Sequence, residues 1–208
     1  MAISTYAQLQ AAAANWLVRG DLAARIPEFI RLAEARLNRV LRMRLAEADV
    51  ALTASVGART VALPADFAEA RALWLVRPDR RTALPFIEPS LVGVVSLHGE
   101  PGAWTVDGAN LAFDRPCDEA YALTLRMLRA FALSDAAPTN ALLSEAPDVY
   151  LFATLCEAAP FLRDAELAGA YEGKLERAIG ELNARDARSR APRTLGTELA
   201  DLLLDRAP

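Results

Sequence analysis

The spacing of apolar residues changes twice along the chain, and this change constrains the fold more than any other sequence feature. Over 6–43, apolar side chains recur every three to four residues, the period of one face of an α-helix. Over 48–127 most of them alternate, as in half-buried strands, and over 149–184 the helical period returns. Two helical regions separated by a β-rich one predict an α+β fold, mainly α, in which the helical ends pack as an antiparallel bundle around a β-rich insertion.

Two helices are predicted before the β-rich part. Thr5 and Gln8 have the spacing of a capping box, which opens a helix over 6–18, and Gly20 is expected to end it by adopting a left-handed cap. Leu9 and Trp16 are expected to face the core. A second helix over 27–43 carries one apolar face, made of Ile26, Phe29, Ile30, Ala33, Leu37, Val40 and Leu41.

The β-rich part is predicted from short runs bounded by turn residues. Strands are expected over 48–53, 59–63, 72–76 and 121–128, with a hairpin over 104–113. Two short helices are also expected, one opened by the capping-box spacing of Asp66 and Glu69 and one over 90–97.

The C-terminal part is predicted as two helices followed by an arm. Pro147 suits a first helical position, and the run to Leu162 is apolar nearly all round, which indicates a central helix with a kink at Pro160. A last helix is expected over 165–184. After the polar linker 188–193, an amphipathic segment is expected to dock on a partner through Leu195, Leu199, Leu202 and Leu203. The predicted organisation is therefore a helical body of 1–45 plus 146–186, a β-rich insertion of 46–145, and a linker with an extended C-terminal arm over 187–208.

Residues suited to catalysis are scarce. The one histidine, His98, adjoins Gly99 and is expected in a loop, and no serine-nucleophile, phosphate-binding or dinucleotide motif is present. Cys117 and Cys156 lie in no C-x-x-C pair, which predicts reduced thiols. We therefore expect no catalytic residue, no cofactor and no metal, and a protein that is not an enzyme.

Two charged groups leave alternatives open. Asp114, Asp118 and Glu119 could form an acid pair or metal site, although a solvated loop explains them more simply. The second helix also carries three arginines, Arg36, Arg39 and Arg42. They are expected to contact an acidic neighbouring subunit or to lie on a solvated face, and a phosphate site is the less favoured interpretation. The formal net charge of −4 disfavours a general nucleic-acid binder.

Several segments, taken in order, resemble the head-to-tail adaptor (connector) proteins of short-tailed bacteriophages. The carriers are Thr5-Tyr6-x-x-Leu9, Asn15-Trp16-Leu17, the run from Asp21 to Arg39, Leu63-Pro64-Ala65-Asp66-Phe67, Gly99-Glu100-Pro101, Leu133-Ser134-Asp135, Thr139-Asn140, the run from Pro147 to Phe152, and the run from Glu157 to Leu162. The resemblance covers roughly 4–185.

The resemblance implies a structural virion protein made in the bacterial host cytoplasm. Such proteins form a ring, usually of twelve copies, below the portal protein, extend the DNA channel and give the tail nozzle or tail fibres an attachment platform. Genomic DNA then passes without sequence-specific binding, and no membrane is involved. A mildly acidic ring would repel the DNA backbone, which agrees with this picture. The alternatives are a small bacterial nucleic-acid-binding or regulatory protein and, last, a hydrolase using the acidic group.

Overall fold

The structure is a computed structural model that describes residues 3–41, 43–93 and 95–190. The helices of these residues are α1 (Tyr6–Leu17), α2 (Ile26–Val40), α3 (Ala141–Glu145), α4 (Pro147–Leu162) and α5 (Ala165–Arg190). The strands are β1 (Glu47–Ala54), β2 (Thr60–Ala62), β3 (Phe67–Val76), β4 (Arg81–Leu84), β5 (Trp104–Asp107), β6 (Asn110–Phe113) and β7 (Tyr121–Arg129).

Local side-chain hydrogen bonds explain where α1 begins. The Thr5 hydroxyl accepts from the Gln8 backbone N–H at 3.3 Å, and the Gln8 side-chain oxygen accepts from the Ser4 N–H at 2.8 Å. This confirms the predicted start. The helix ends at Leu17, within one residue of the predicted end, but the predicted cap is wrong, because Val18 and not Gly20 takes the left-handed conformation, with φ 51°. A short 3-10 helix, Gly20–Arg25, then leads into α2.

The strands form two antiparallel sheets, ordered β1-β7-β3-β4 and β2-β6-β5. The segment after β4 connects them, since the Ile87 N–H donates to the Trp104 carbonyl at 2.9 Å and the Trp104 N–H to the Pro85 carbonyl at 3.0 Å. The sheets enclose a hydrophobic cluster of their own. Its buried members are Ala54, Leu73, Leu75, Trp104, Leu111, Phe113, Cys117, Tyr121, Leu123, Leu125 and Met127.

Helix α4 is the centre of the helical part, as its all-round apolar sequence predicts, and α1, α2 and α5 pack against it. Half of its 16 residues are buried, including Tyr150 and Leu155 at 0% exposure. Leu128, at the end of β7, belongs to the same hydrophobic cluster. The helical core and the sheets are therefore packed together where β7 leaves the sheet.

The expected fold class, mainly α with an antiparallel helical bundle, is wrong. The described residues are 46% helical and 23% strand, and the helices do not make a clear bundle. The physical reason is the second hydrophobic cluster between the sheets, which makes the β-rich part a packed structure with its own interior. The extended C-terminal arm expected over 187–208 lies almost wholly outside the described residues, of which α5 includes 187–190.

Several smaller expectations also differ from the structure. A short helix was expected to begin near Asp66 and include Glu69. Instead, strand β3 begins at Phe67 and continues through Glu69. The helix expected over 90–97 reduces to the 3-10 turn Pro89–Leu91. Trp16 and Val40, expected in the core, are 44% and 50% exposed.

Candidate interaction surfaces

Arg36, one of the three arginines expected to contact a neighbouring subunit, is paired within its own chain. Its guanidinium donates to both carboxylate oxygens of Glu172 on α5, with Nη1 at 3.1 Å from Oε2. The hydrogen bonds from Arg36 lower the pKa of Glu172. Arg36 therefore ties α2 to α5 and is less free to reach a neighbour.

Of the other two predicted contact arginines, Arg39 and Arg42, the structure describes Arg39. Arg39 is exposed on α2 and forms no ion pair with any residue that the structure describes. Arg42 lies outside the described residues. Of the two predicted contact arginines that the structure describes, Arg39 is therefore the one without an ion pair to a described residue.

The leucines of the predicted arm, Leu195, Leu199, Leu202 and Leu203, lie outside the described residues. The chain leading to them is held against the residues that follow α2. The Arg44 N–H donates to Asp186 Oδ1 at 3.2 Å, and Arg44 Nη1 donates to the Ser189 carbonyl at 3.3 Å. The last turns of α5 are thus anchored before residue 191.

Two polar side chains of α2 hold the segment that connects β7 to α3. Asn38 forms a reciprocal pair with Phe131, donating from Nδ2 to its carbonyl at 2.9 Å and accepting its N–H on Oδ1 at 2.7 Å. One turn earlier, Glu34 accepts a backbone hydrogen bond from Leu133. This paired arrangement, which we call the joint, fixes the exit of the sheets against the helical core.

The Glu34 carboxyl group is buried, at 6% exposure, inside a small polar network. The Tyr150 hydroxyl donates to Glu34 Oε1 at 3.3 Å, and Asn140 Nδ2 donates to the Tyr150 hydroxyl at 2.7 Å. Burial raises the pKa of Glu34 to about 7, against the opposing effects of the hydrogen bonds from Leu133 and Tyr150 and of the charge of Arg31. Sequence reasoning missed this residue because a glutamate beside the apolar stripe of α2 is usually assigned to solvent.

The carboxylates near Cys117 make hydrogen bonds and an ion pair within the fold. Asp114 accepts the N–H groups of Gly102 and Ala103 at 2.9 and 3.2 Å. Asp118 accepts the Tyr121 hydroxyl at 2.6 Å. The nearest basic atom to Glu119 is Arg77 Nη1, at 3.8 Å. These roles explain the carboxylates without an acid pair.

The histidine and the two cysteines form no shared site among the described residues. His98 is exposed, and within the described ranges no group of three or more His, Cys, Asp or Glu could hold a metal ion. Burial raises the pKa of the Cys117 and Cys156 thiols, that of Cys156 to about 12, where a hydrogen bond to Glu172 adds to the effect. Over the same ranges no helix has both the length and the apolar character to cross a membrane.

The end of the sheets opposite the joint exposes apolar side chains. Val56 and Leu97 are 66% and 77% exposed. They flank the same short segment, because the Gly57 N–H donates to the Cys117 carbonyl at 2.7 Å and the Gly99 N–H donates to the Pro116 carbonyl at 2.9 Å. We call this surface the loop end.

The comparisons with known proteins agree with a structural role. The family model described as "SU10 adaptor protein" matches residues 4–196, which include nearly all of the described chain. No curated protein matches the chain. A match over this much of the sequence shows the family: the chain belongs to the SU10 adaptor protein family and is a structural adaptor protein of a bacteriophage.

Proposed function

We propose that this protein assembles into a ring of twelve copies below the portal, extends the DNA channel and gives the tail its attachment platform. The family match over residues 4–196 carries the proposal. No catalysis is part of this function, and no cofactor or metal is needed. The net charge of −4 suits a channel that repels the DNA backbone and lets the genome slide.

The described surfaces support separate partners at the two ends of the subunit. We assign the loop end to the tail nozzle or tail fibres, because exposed apolar side chains such as Val56 and Leu97 favour burial in a protein contact. The helical body, 1–45 plus 146–186, then forms the contacts between subunits, with Arg39 among them and Arg36 and Arg42 beside it. The β-rich part, 46–145, projects toward the tail.

The arm is assigned to the portal. Burying Leu195, Leu199, Leu202 and Leu203 contributes roughly 1.5–3 kcal/mol each, less the cost of ordering the segment. Repeated around a ring, even a weak contact of this kind holds tightly. Because α5 is anchored through Ser189, truncation after Arg190 is the cleanest way to remove the arm.

Sedimentation of the full chain with its portal tests the proposed function. We expect free subunits to sediment as monomers and to co-sediment with the portal, because heterologous contacts often close a ring only on a template. The chain truncated after Arg190 should melt at the same temperature and bind the portal more weakly. A much lower melting temperature would mean that the arm belongs to the core, and full portal affinity would remove its assigned role.

A further inference from the structure

One end of the helical core has an open pocket lined with arginines. The segment that connects α1 to α2 meets the end of α4 there, and the pocket between them has a volume of about 640 Å³. Its charged lining residues are Arg19, Asp21, Arg25 and Arg163, and the ring of Phe161 forms part of its wall. We call it the arginine pocket. It brings together three guanidinium groups and one carboxylate.

The arginine pocket lies at the end of the helical core away from the joint. Helix α2 begins at Ile26, next to Arg25, and the joint residue Asn38 follows three turns later. Three turns span about 16 Å along a helix. The sheets meet the helical core at the joint, and the loop end lies at their far end. A subunit whose loop end faces the tail therefore presents the arginine pocket toward the portal.

Two of the three arginines have no carboxylate partner among the residues that the structure describes. Arg19 is held by Asp21, because its Nε and Nη2 atoms donate to the two carboxylate oxygens at 2.8 and 2.7 Å. The guanidinium of Arg25 instead lies 5.1 Å from the centre of the Phe161 ring. The exposed side chain of Arg163 makes neither an ion pair nor a hydrogen bond within that part of the chain. The pocket therefore leaves two positive charges for an acidic group from outside.

Arg163 occupies its position at a cost to the fold. It ends α4 with φ 55°, in the left-handed conformation that glycine adopts without strain. The nearest carboxylate along the chain, that of Asp164, is already used, because it accepts the Leu167 N–H at 2.9 Å where α5 begins. Strained residues with no packing reason of their own often mark a functional surface. A partner outside the chain explains why an arginine stands where glycine would be more stable.

Phe161 gives the arginine pocket an apolar contact as well. Its side chain is 41% exposed, and its ring is supported from the core by Phe29, with 5.2 Å between the ring centres. Arginine and exposed aromatic side chains are enriched at the residues that contribute most to protein–protein contacts. A site for DNA phosphates needs the arginines but not the phenyl ring, and the net charge of −4 disfavours DNA further. The combination therefore favours an acidic protein segment.

We propose that the arginine pocket docks on the portal protein and holds an acidic portal segment, with Arg25 and Arg163 paired to its carboxylates and an apolar side chain of the segment against Phe161. The inference rests on the proposed function and names a portal contact separate from the arm. Because both arginines are exposed, the contact depends on electrostatic attraction, and portal affinity falls as salt is added.

The Arg163→Gly variant separates portal binding from folding. Because it relieves the left-handed strain, the melting temperature of the free full-length chain should not fall. Its affinity for the portal, measured by sedimentation, should fall at least about tenfold. The matched control is Arg80→Gly, which removes the same charge from an exposed turn of the sheets and should bind as wild type. Arg25→Glu should bind more weakly than Arg25→Gln, since the glutamate repels an acidic segment.

Photo-cross-linking identifies the occupant. A full-length chain with p-benzoylphenylalanine in place of Phe161, irradiated on the portal, should cross-link to a portal peptide that contains aspartate or glutamate. Cross-links to other copies of this chain alone, or unchanged portal affinity in Arg163→Gly or Arg25→Glu, would overturn this contact and leave the proposed function standing. So would a DNA duplex that wild type binds and these variants do not, with portal affinity unchanged. A wild-type chain that does not bind the portal would overturn the proposed function and the contact with it.

Discussion

Replacement of the buried Glu34 by glutamine should change how the stability of the protein depends on pH. The pKa of this carboxyl group rises from its ordinary value of 4.5 to about 7 in the folded chain, mainly because burial penalises the charged form. Between these two values the folded state binds more protons than the unfolded state. The contribution of Glu34 is therefore fully present below pH 4.5 and is lost as pH rises through about 7.

The magnitude follows from the size of the shift. The rise of the pKa from 4.5 to about 7 corresponds to about 3 kcal/mol as an order of magnitude, and this rise already includes the opposing hydrogen bonds from Leu133 and Tyr150. Glutamine has nearly the same shape and keeps one carbonyl oxygen that can accept a hydrogen bond, but it does not ionise. Glu34→Gln should therefore unfold with a free energy close to wild type at pH 5 and about 1–3 kcal/mol higher at pH 8.

Urea unfolding of the free subunit at pH values from 5 to 8 measures this difference directly. Comparison of wild type with Glu34→Gln at each pH cancels the contributions of all other titrating groups. The control is Glu28→Gln on the same helix, which removes an exposed charge and should show little difference at either pH. A difference between wild type and Glu34→Gln that stays constant from pH 5 to pH 8 would refute the reasoning.

Three further substitutions have definite expected outcomes. Val18→Gly should raise the free energy of unfolding by about 1 kcal/mol in thermal or urea unfolding, because valine is strained at φ 51° and its side chain is 85% exposed; a lower stability would contradict this. Leu125→Ala, at 0% exposure between the sheets, should lower it by about 2–5 kcal/mol, and a loss below about 1 kcal/mol would show that the second core is loosely packed. His98→Ala, at an exposed loop position, should leave both the melting temperature and assembly on the portal unchanged, and loss of assembly by a folded variant would assign that residue a role.

The spacing of apolar residues predicts a helix or strand of this chain well where that element buries one of its faces against a single hydrophobic core. Helix α2 and strand β7 show this, since Phe29 and Leu37 are buried at helical spacing and Tyr121, Leu123 and Leu125 at alternate positions. The α1 start was also predictable, because the hydrogen bonds that cap it are local.

Features that depend on long-range packing were not predictable in this way. The joint needs Glu34 and Asn38 to meet residues almost a hundred positions away, at Phe131 and Leu133. Glu69 has the spacing of a helix cap, yet pairing of β3 with β7 outweighs this weak local signal. The connection of the two sheets through Ile87 and Trp104 likewise leaves no periodic trace, so the packed interior between the sheets was not predicted.

Sequence reasoning placed the candidate contact residues on one helix but could not separate the faces of that helix. Arg36 and Arg39 are three residues apart and look equivalent in sequence. In the structure, Arg36 lies over α4 and reaches Glu172, whereas Arg39 points to solvent.

Cryo-electron microscopy of the portal mixed with the full-length protein, reconstructed without imposed symmetry, tests the central claim most directly. We expect one ring of twelve subunits on the distal face of the portal, with an open channel, the helical bodies in contact and the loop ends turned away from the portal. A closed ring with another number of subunits would correct the stoichiometry alone. Portal particles without bound protein, or with isolated subunits scattered over their surface, would contradict the account.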